Sequence, residues 1–270
     1  LTRLAGVIAS CAALIAAACA STPVVAPVPE VAPGYLAGYL SGEQLPGSLS
    51  LLPPAPAPTS ATVARDEEAS KTALALQGSP RWDLAARDVE LSFPKAAETF
   101  SCALGVEVSE AQTPRLYLLL RRTLTDAGRS TSPTKKAFMR QRPFMVNGQP
   151  TCAPKDEAFL RNDGSYPSGH SAIGWAWGLL LAQAAPERAD AVLARGRAFG
   201  HSRVVCNVHW LSDVEEGRVM GAAAVARLQS APDFQADMAA ARAEIIAARA
   251  AGKTPKGDCA GEAALLAGQP

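Results

Sequence analysis

Histidine is nearly missing from this chain: there are three in 270 residues, against 26 lysines and arginines. Aromatic side chains make up only 6% of the total, and isoleucine is sparse as well. Sheets draw heavily on β-branched and aromatic residues, so this scarcity, with few segments alternating at period two, argues against a β architecture. A net charge of +1 excludes bulk attraction to nucleic acid or to an anionic membrane surface. Any affinity for anions must therefore be local. The cysteines include no CxxC pair and match no zinc spacing. After the first twenty residues the most apolar stretch is 168–185, which has polar ends and a histidine. It reads as a buried core helix, not a membrane span.

What is present is helical. Apolar residues form 48% of the chain, and alanine, leucine and helix-compatible charged residues dominate. Residues 1–20 read as a signal peptide, with Arg3 before an apolar, small-residue run. Two processing routes are open there. Ala18-Cys19-Ala20 fits a small-x-small cleavage site that releases a soluble protein near Ser21, and Cys19 is alternatively the lipidated cysteine of a bacterial lipoprotein. Residues 21–34 read as a proline-rich tether, 35–251 as one all-α helical-bundle domain, and 252–270 as a flexible C-terminal tail.

Within the domain, helices are expected over Ala61–Leu76, from Pro80 towards Pro94, and over Lys95–Leu104. Further helices are expected over Pro114–Ala127 (ending at Gly128), Ser168–Ala185, Pro186–Gly200, Leu211–Leu228 and Pro232–Ala251, with 147–163 as loop. The small residues Ala172, Gly174, Ala176 and Gly178 would let a neighbouring helix come close. Export makes the compartment oxidising, so Cys102, Cys152, Cys206 and Cys259 predict two disulfides with three connectivities open.

Three short segments hold the unusual chemistry: KKAFMRQRP at 135–143, YPSGHS at 166–171 and SRVVCNVHWLSD at 202–213. Lys135 and Arg142, seven apart, can project from one side of a helix that Pro143 ends, while Lys136 and Arg140 fall on other, solvated faces. Alone, this is an ordinary basic helix. Ser168-Gly169-His170 sits where loop becomes helix, where unpaired N–H groups and the helix dipole favour an anion. Alone, this is an ordinary cap with a surface histidine. His209 and Asp213, one turn apart on a predicted helix, let a carboxylate fix the imidazole tautomer and leave Nε2 as a nucleophile. Arg203, six before His209, can reach the same anion. His201 has no carboxylate at a useful offset and reads as incidental, and Cys206 reads as structural. Cations for a tetrahedral oxyanion beside imidazoles for proton chemistry are the pattern of a metal-independent phosphomonoesterase.

In this order, K-x6-R-P, P-S-G-H and S-R-x5-H-x3-D resemble the signature of the phosphatidic-acid-phosphatase type 2 superfamily, which includes vanadium haloperoxidases. LLPPAPAP, RQRPF, TCAPKDE, NDGSYPSGHSAIGWAW and SRVVCNVHWLSDVEEGR are similar to bacterial class A non-specific acid phosphatases, a likeness covering about residues 35 to 245. The resemblance implies an all-α acid phosphatase, exported to the periplasm, that needs no metal or other cofactor. It implies His209 as the nucleophile of a phosphohistidine, Asp213 as its orienting partner and His170 as the general acid. Lys135, Arg142, Ser168, Gly169 and Arg203 would bind the phosphoryl oxygens. Implied partners are small phosphomonoesters (nucleotides, sugar phosphates, aryl phosphates), with phosphate transfer to alcohols as a second activity. Nucleic acid is not implied, a membrane enters only through lipidation of Cys19, and a homodimer is common in the family. Cys152 and Cys206 lie in stretches the family shares, so the resemblance also points to Cys152–Cys206 and Cys102–Cys259. A haloperoxidase would share the oxyanion cradle, but no added halide-site feature is visible. A membrane lipid phosphatase would need spans that the mature chain does not show. A phosphate-binding protein would need no ordered His–Asp pair.

Overall fold

The computed structural model describes residues 27–267. The leader, the first part of the tether (21–26), and with them Cys11 and Cys19, lie outside the described residues. Ten helices of five or more residues are described. They are α1 (Ala61–Leu74), α2 (Pro80–Arg87), α3 (Pro114–Ser130), α4 (Ser132–Phe138) and α5 (Pro143–Asn147), followed by α6 (Gly169–Ala184), α7 (Ala189–Val205), α8 (Leu211–Leu228), α9 (Pro232–Ala250) and α10 (Cys259–Leu266). The all-α expectation holds. Among the described residues the sheet is one antiparallel hairpin, β1 (Glu30–Ala32) and β2 (Tyr35–Leu36). No described helix is long and apolar enough to cross a membrane.

Helix α6 is apolar on every side, as a helix enclosed by others must be. It runs through the middle of the domain with α3, α7, α8 and α9 packed around it. Trp177 is its central anchor. The ring is fully buried, meets Phe93 and Phe100 edge-on, and donates from Nε1 to the Leu120 carbonyl of α3 at 3.0 Å. The expected close approach of a neighbouring helix is present. A Cβ placed on Gly196 of α7 would lie 2.8 Å from the Gly174 carbonyl of α6. On the other flank, a Cβ on Gly217 of α8 would lie 2.5 Å from the Ser168 carbonyl. Glycine at 217 therefore sets the distance between α8 and the N-terminus of α6, where the second sequence segment sits.

Several boundaries differ from expectation. Helix α3 passes through Gly128 to Ser130, because Gly128 is packed against Ile173 in the core, where it takes no left-handed turn. Lys95–Leu104 is two single turns, Lys95–Glu98 and Ser101–Leu104, split where Phe100 (φ −105°, ψ 0°) turns its ring into the core. Pro186–Gly200 is a 3₁₀ turn, Pro186–Arg188, followed by α7, which continues to Val205. The loop over 147–163 contains a further turn at Glu157–Leu160. Part of the tether pairs as the β1–β2 hairpin, with Gly34 (φ +81°) at its turn.

The flexible tail is also corrected. Residues 252–267 carry α10, held by the Cys102–Cys259 disulfide and by Glu262 beside Arg195. The second disulfide, Cys152–Cys206, ties the 148–156 loop to the end of α7. Both match the pairing that the family resemblance implied. Closing a 54-residue span is worth about 4 kcal/mol by loop entropy.

Gly217→Ala should force its new Cβ against the Ser168 carbonyl. The expected outcome is a loss of about 1–3 kcal/mol in urea unfolding, with lowered turnover because Ser168 moves. An unchanged urea midpoint would show that α8 does not press on Ser168 this closely.

Candidate active site

The segment from Asp163 to His170 runs through the middle of the site and contacts Lys135, Arg142, His209 and Asp213. Lys135, in the last turn of α4, donates from Nζ to Asp163 Oδ2 at 2.8 Å and to the Gly164 carbonyl at 2.5 Å. Arg142 donates to the same carboxylate oxygen at 2.8 Å and, from Nε, to the Asp163 carbonyl at 3.1 Å. Ser165 donates from Oγ to Asp213 Oδ2 at 2.5 Å. Ser168 caps α6: its Oγ accepts from Ser171 N at 3.2 Å and from Ser171 Oγ at 2.9 Å, leaving its own hydroxyl proton to donate elsewhere. Gly169 and His170 open the helix, so their N–H groups have no intrahelical partner. His170 Nε2 lies 2.9 Å from the Val89 carbonyl, an acceptor only. Nε2 must therefore carry a proton, and Nδ1 is the nitrogen that titrates.

Lys135 and Arg142 do not share a helix. Met139, left-handed at φ 43°, ends α4, and Pro143 opens α5 instead of closing the helix before it. Proline suits a first helical position, where its missing N–H costs nothing. The two cations meet through tertiary folding, at the shared Asp163 carboxylate.

His209 likewise lies before α8 rather than on it. The left-handed Asn207 (φ 62°) turns the chain out of α7, and Trp210 is the N-cap of α8. That turn is locked. Asn147 donates to Asn207 Oδ1 at 2.9 Å, Asn207 donates to the Gln149 carbonyl at 3.1 Å, and the Cys152–Cys206 disulfide lies alongside. Asp213, the third residue of α8, reaches back to accept from Trp210 N at 2.9 Å, as an N-terminal carboxylate often does. Its Oδ2 is 3.3 Å from His209 Nδ1. On the far side of the ring, Arg142 Nη1 donates to His209 Nε2 at 3.0 Å. An arginine only donates, so Nε2 holds a lone pair and Nδ1 holds the hydrogen. This is the tautomer that the spacing of His209 and Asp213 predicted.

Arg140 is not solvated, contrary to expectation. It donates from Nη1 to Asp213 Oδ1 at 2.7 Å and from Nη2 to Asp66 Oδ2 at 2.8 Å, and lies over the Trp210 ring. Asp66, from α1, also accepts from Ser212 N at 2.7 Å and Ser212 Oγ at 2.6 Å. Two fully buried carboxylates thus share one guanidinium. Burial pushes the Asp213 carboxyl up, while Arg140, Ser165 and Trp210 pull it down. Each polar neighbour of Asp213 donates to it, so the arrangement suits the ionised form.

The site is rich in positive charge. Burial, then Arg142, brings the Lys135 ammonium down to about 8, against the pull of Asp163. Arg142 is lowered by burial, and Arg203 is brought down to about 9 by burial and then by Arg142. Arg203, in the last turn of α7, is 1% exposed, and its Nε and Nη1 have no hydrogen-bond partner. A buried guanidinium edge without an acceptor is costly unless an anion comes to it. Burial holds both His209 and His170 well below the usual histidine range. Repulsion from Arg142, Lys135 and Arg203 adds to this at His209, and from Arg203 above all at His170.

All eight predicted residues thus converge on one region. Asp163, Ser165, Arg140 and Asp66 were missed. Asp163 and Ser165 lie inside the quoted NDGSYPSGH string, but nothing in their spacing marks them. Asp66 is 147 residues before Asp213 and had no local signal. His201, taken as incidental, contacts none of these groups. A cavity of 1180 Å³ lies elsewhere, between α2 and α10 and lined by residues such as Leu84, Asp88, Val108, Arg195 and Leu265, and none of the eight borders it.

Comparison with known proteins places the chain in a family. The PAP2 superfamily model matches residues 116–234. The chain is 43% identical over 206 residues to a non-specific acid phosphatase of Salmonella typhimurium, covering 76% of this chain and 82% of the relative. It is 41% identical over 198 residues to one of Providencia stuartii, covering 73% of this chain and 80% of that one. It is 40% identical over 203 residues to an acid phosphatase of Zymomonas mobilis, covering 74% and 77%. The chain belongs to the non-specific acid phosphatases of the PAP2 superfamily. As a member it is a phosphoric-monoester hydrolase.

Two outcomes follow from the charges. Arg140→Ala leaves two buried carboxylates facing each other and should cost about 3–5 kcal/mol in urea unfolding. A solvated arginine would cost less than about 0.5 kcal/mol. His201 is brought down to about 4 by burial and then by Arg81, Arg197 and Arg218. Its folded value lies below its unfolded one, so as pH falls from about 6.5 to 4 the unfolded chain binds the extra proton and stability is lost. His201→Gln should flatten that acid limb of a melting-temperature profile, and an unchanged slope would remove His201 as its source.

Proposed function

We propose that this protein is an exported acid phosphatase that hydrolyses a broad range of phosphomonoesters through a phosphohistidine on His209, without a metal. His209 Nε2 attacks phosphorus as the bond to the ester oxygen breaks, and His170 gives its Nδ1 proton to the leaving alcohol. Water then attacks the phosphohistidine, His170 takes a proton back, and phosphate is released. An alcohol in place of water gives phosphate transfer. Asp213 holds the Nδ1–H tautomer and stabilises the charge that grows on the ring.

The observation that carries this reading is the buried, acceptor-free edge of Arg203 in the same charged region as Lys135, Arg142 and a histidine whose lone pair is on Nε2. Together with the Ser168 hydroxyl and the N–H groups at Gly169, these cations are donors fixed before substrate arrives. Phosphoryl transfer depends mainly on such positioning and charge stabilisation. The direction of the imidazole shifts supports an acid optimum. His209 stays neutral well into the acid range, so the ascending limb lies low, and His170 loses its proton early, so the descending limb is also acidic. Bound phosphate, being anionic, would raise His170 and restore its acid form.

Nucleotides, sugar phosphates and aryl phosphates are the proposed substrates. The two disulfides favour export, and the periplasm is the proposed site, with lipid anchoring only if Cys19 is modified. A homodimer is the proposed assembly.

His209→Ala should reduce turnover of p-nitrophenyl phosphate by at least about 10³-fold. His170→Ala should slow alkyl phosphates more than p-nitrophenyl phosphate, whose leaving group needs little protonation. Activity should survive a chelator and fall with vanadate. Full turnover by the His209 variant would end the proposal.

A further inference from the structure

We infer that Asp163 makes the site select the monoanion of its phosphomonoester, by placing a carboxylate between the two cations that receive the phosphoryl group. The inference rests on the proposed phosphoryl site and names which ionic form of the substrate it takes. Lys135 Nζ and Arg142 Nη2 both donate to Asp163 Oδ2, each at 2.8 Å. The loop carrying this carboxylate is pinned on both sides. The Asp163 and Gly164 carbonyls accept from Arg142 and Lys135, and Ser165 holds Asp213. The backbone therefore keeps the carboxylate in the cradle, and its side chain, 29% exposed, is the accessible acid there, whereas Asp213 is 0% exposed.

A phosphoryl group settling on Lys135 and Arg142 meets Asp163 directly. A dianion brings two negative charges against a third. A monoanion brings one, and its P–O–H has an acceptor in the carboxylate, so it keeps its proton in that hydrogen bond while the ester P–O bond breaks. Phosphomonoesters lose the second proton near pH 6, so the preferred form is the acidic one. The other charged groups around this position are Arg203, His170, His209, Asp213 with its partner Arg140, and Asp156, whose charge acts on Arg203. Asp213 is committed to Arg140, which leaves Asp163 as the carboxylate that discriminates.

The rival is a counterion role, in which Asp163 merely neutralises Lys135 and Arg142. The two readings move the pH profile in opposite directions. Removing a nearby negative charge lowers the His170 pKa further, so a descending limb that reports only His170 would shift to lower pH. Lifting selection against the dianion shifts it to higher pH.

The test compares the natural protein with Asp163→Asn, which keeps an oxygen acceptor for both cations. Measured are kcat/KM for p-nitrophenyl phosphate between pH 4 and 9, and the binding of inorganic phosphate by calorimetry at pH 5 and 8. The descending limb should move up by about one pH unit. Phosphate affinity at pH 8, relative to pH 5, should rise about tenfold. A limb that stays or moves down, or a loss uniform across pH, overturns the inference. The calorimetry needs no turnover, so an inactive but folded variant still decides it. Failure of the natural protein to hydrolyse the ester would instead overturn the proposed function.

Discussion

The buried carboxylate of Asp213 is the constraint around which this site is organised. A carboxylate taken wholly out of water is costly unless each lone pair finds a donor. Here the donors come from four places in the sequence: Arg140 after α4, Ser165 in the loop before α6, the Trp210 backbone, and His209 just before α8. Its main chain takes part too, since the Asp213 carbonyl accepts from Ser168 N at 2.9 Å. Meeting the needs of one side chain therefore brings together the His209 imidazole, the α6 cap and the arginine-bearing loop. Arg140 in turn needs Asp66, which fastens α1 to the same cluster.

The cations impose the opposite problem. Lys135, Arg142 and Arg203 are concentrated where water is scarce, and their mutual repulsion lowers one another and both imidazoles. Asp163 balances the first two, while part of Arg203 is left without an acceptor. A site arranged in this way gains most when an anion arrives. It also favours a neutral His209, which the proposed attack on phosphorus requires.

The scaffold makes such a site tolerable because its helices cannot drift. Glycines at the α6–α7 and α6–α8 crossings bring backbones into contact, so the N-terminus of α6 and the start of α8 are set against each other by main chain. The disulfide at Cys206 and the Asn147–Asn207 amide pair then fix the turn that presents His209. Tolerance for displacement in phosphoryl transfer is about an ångström or less, which loops alone seldom meet.

Composition and period were enough to identify the helical class, because apolar spacing at 3.6 residues is a local property that survives into the fold. Leu211–Leu228 was legible to the residue, and the eight motif positions were legible because rare histidines stood beside cations in a recognisable order. Boundaries failed where tertiary packing overruled a local signal, as at Gly128, at Pro143 and in the C-terminal segment that a disulfide and an ion pair hold. What the sequence by itself determined was the list of candidate site residues. Which groups share a charge was decided only in three dimensions: Arg140 with Asp66 and Asp213, and Lys135 with Arg142 across Asp163. A buried charge accepts whichever partner the fold brings within about 3 Å, and that distance is not written in any local spacing.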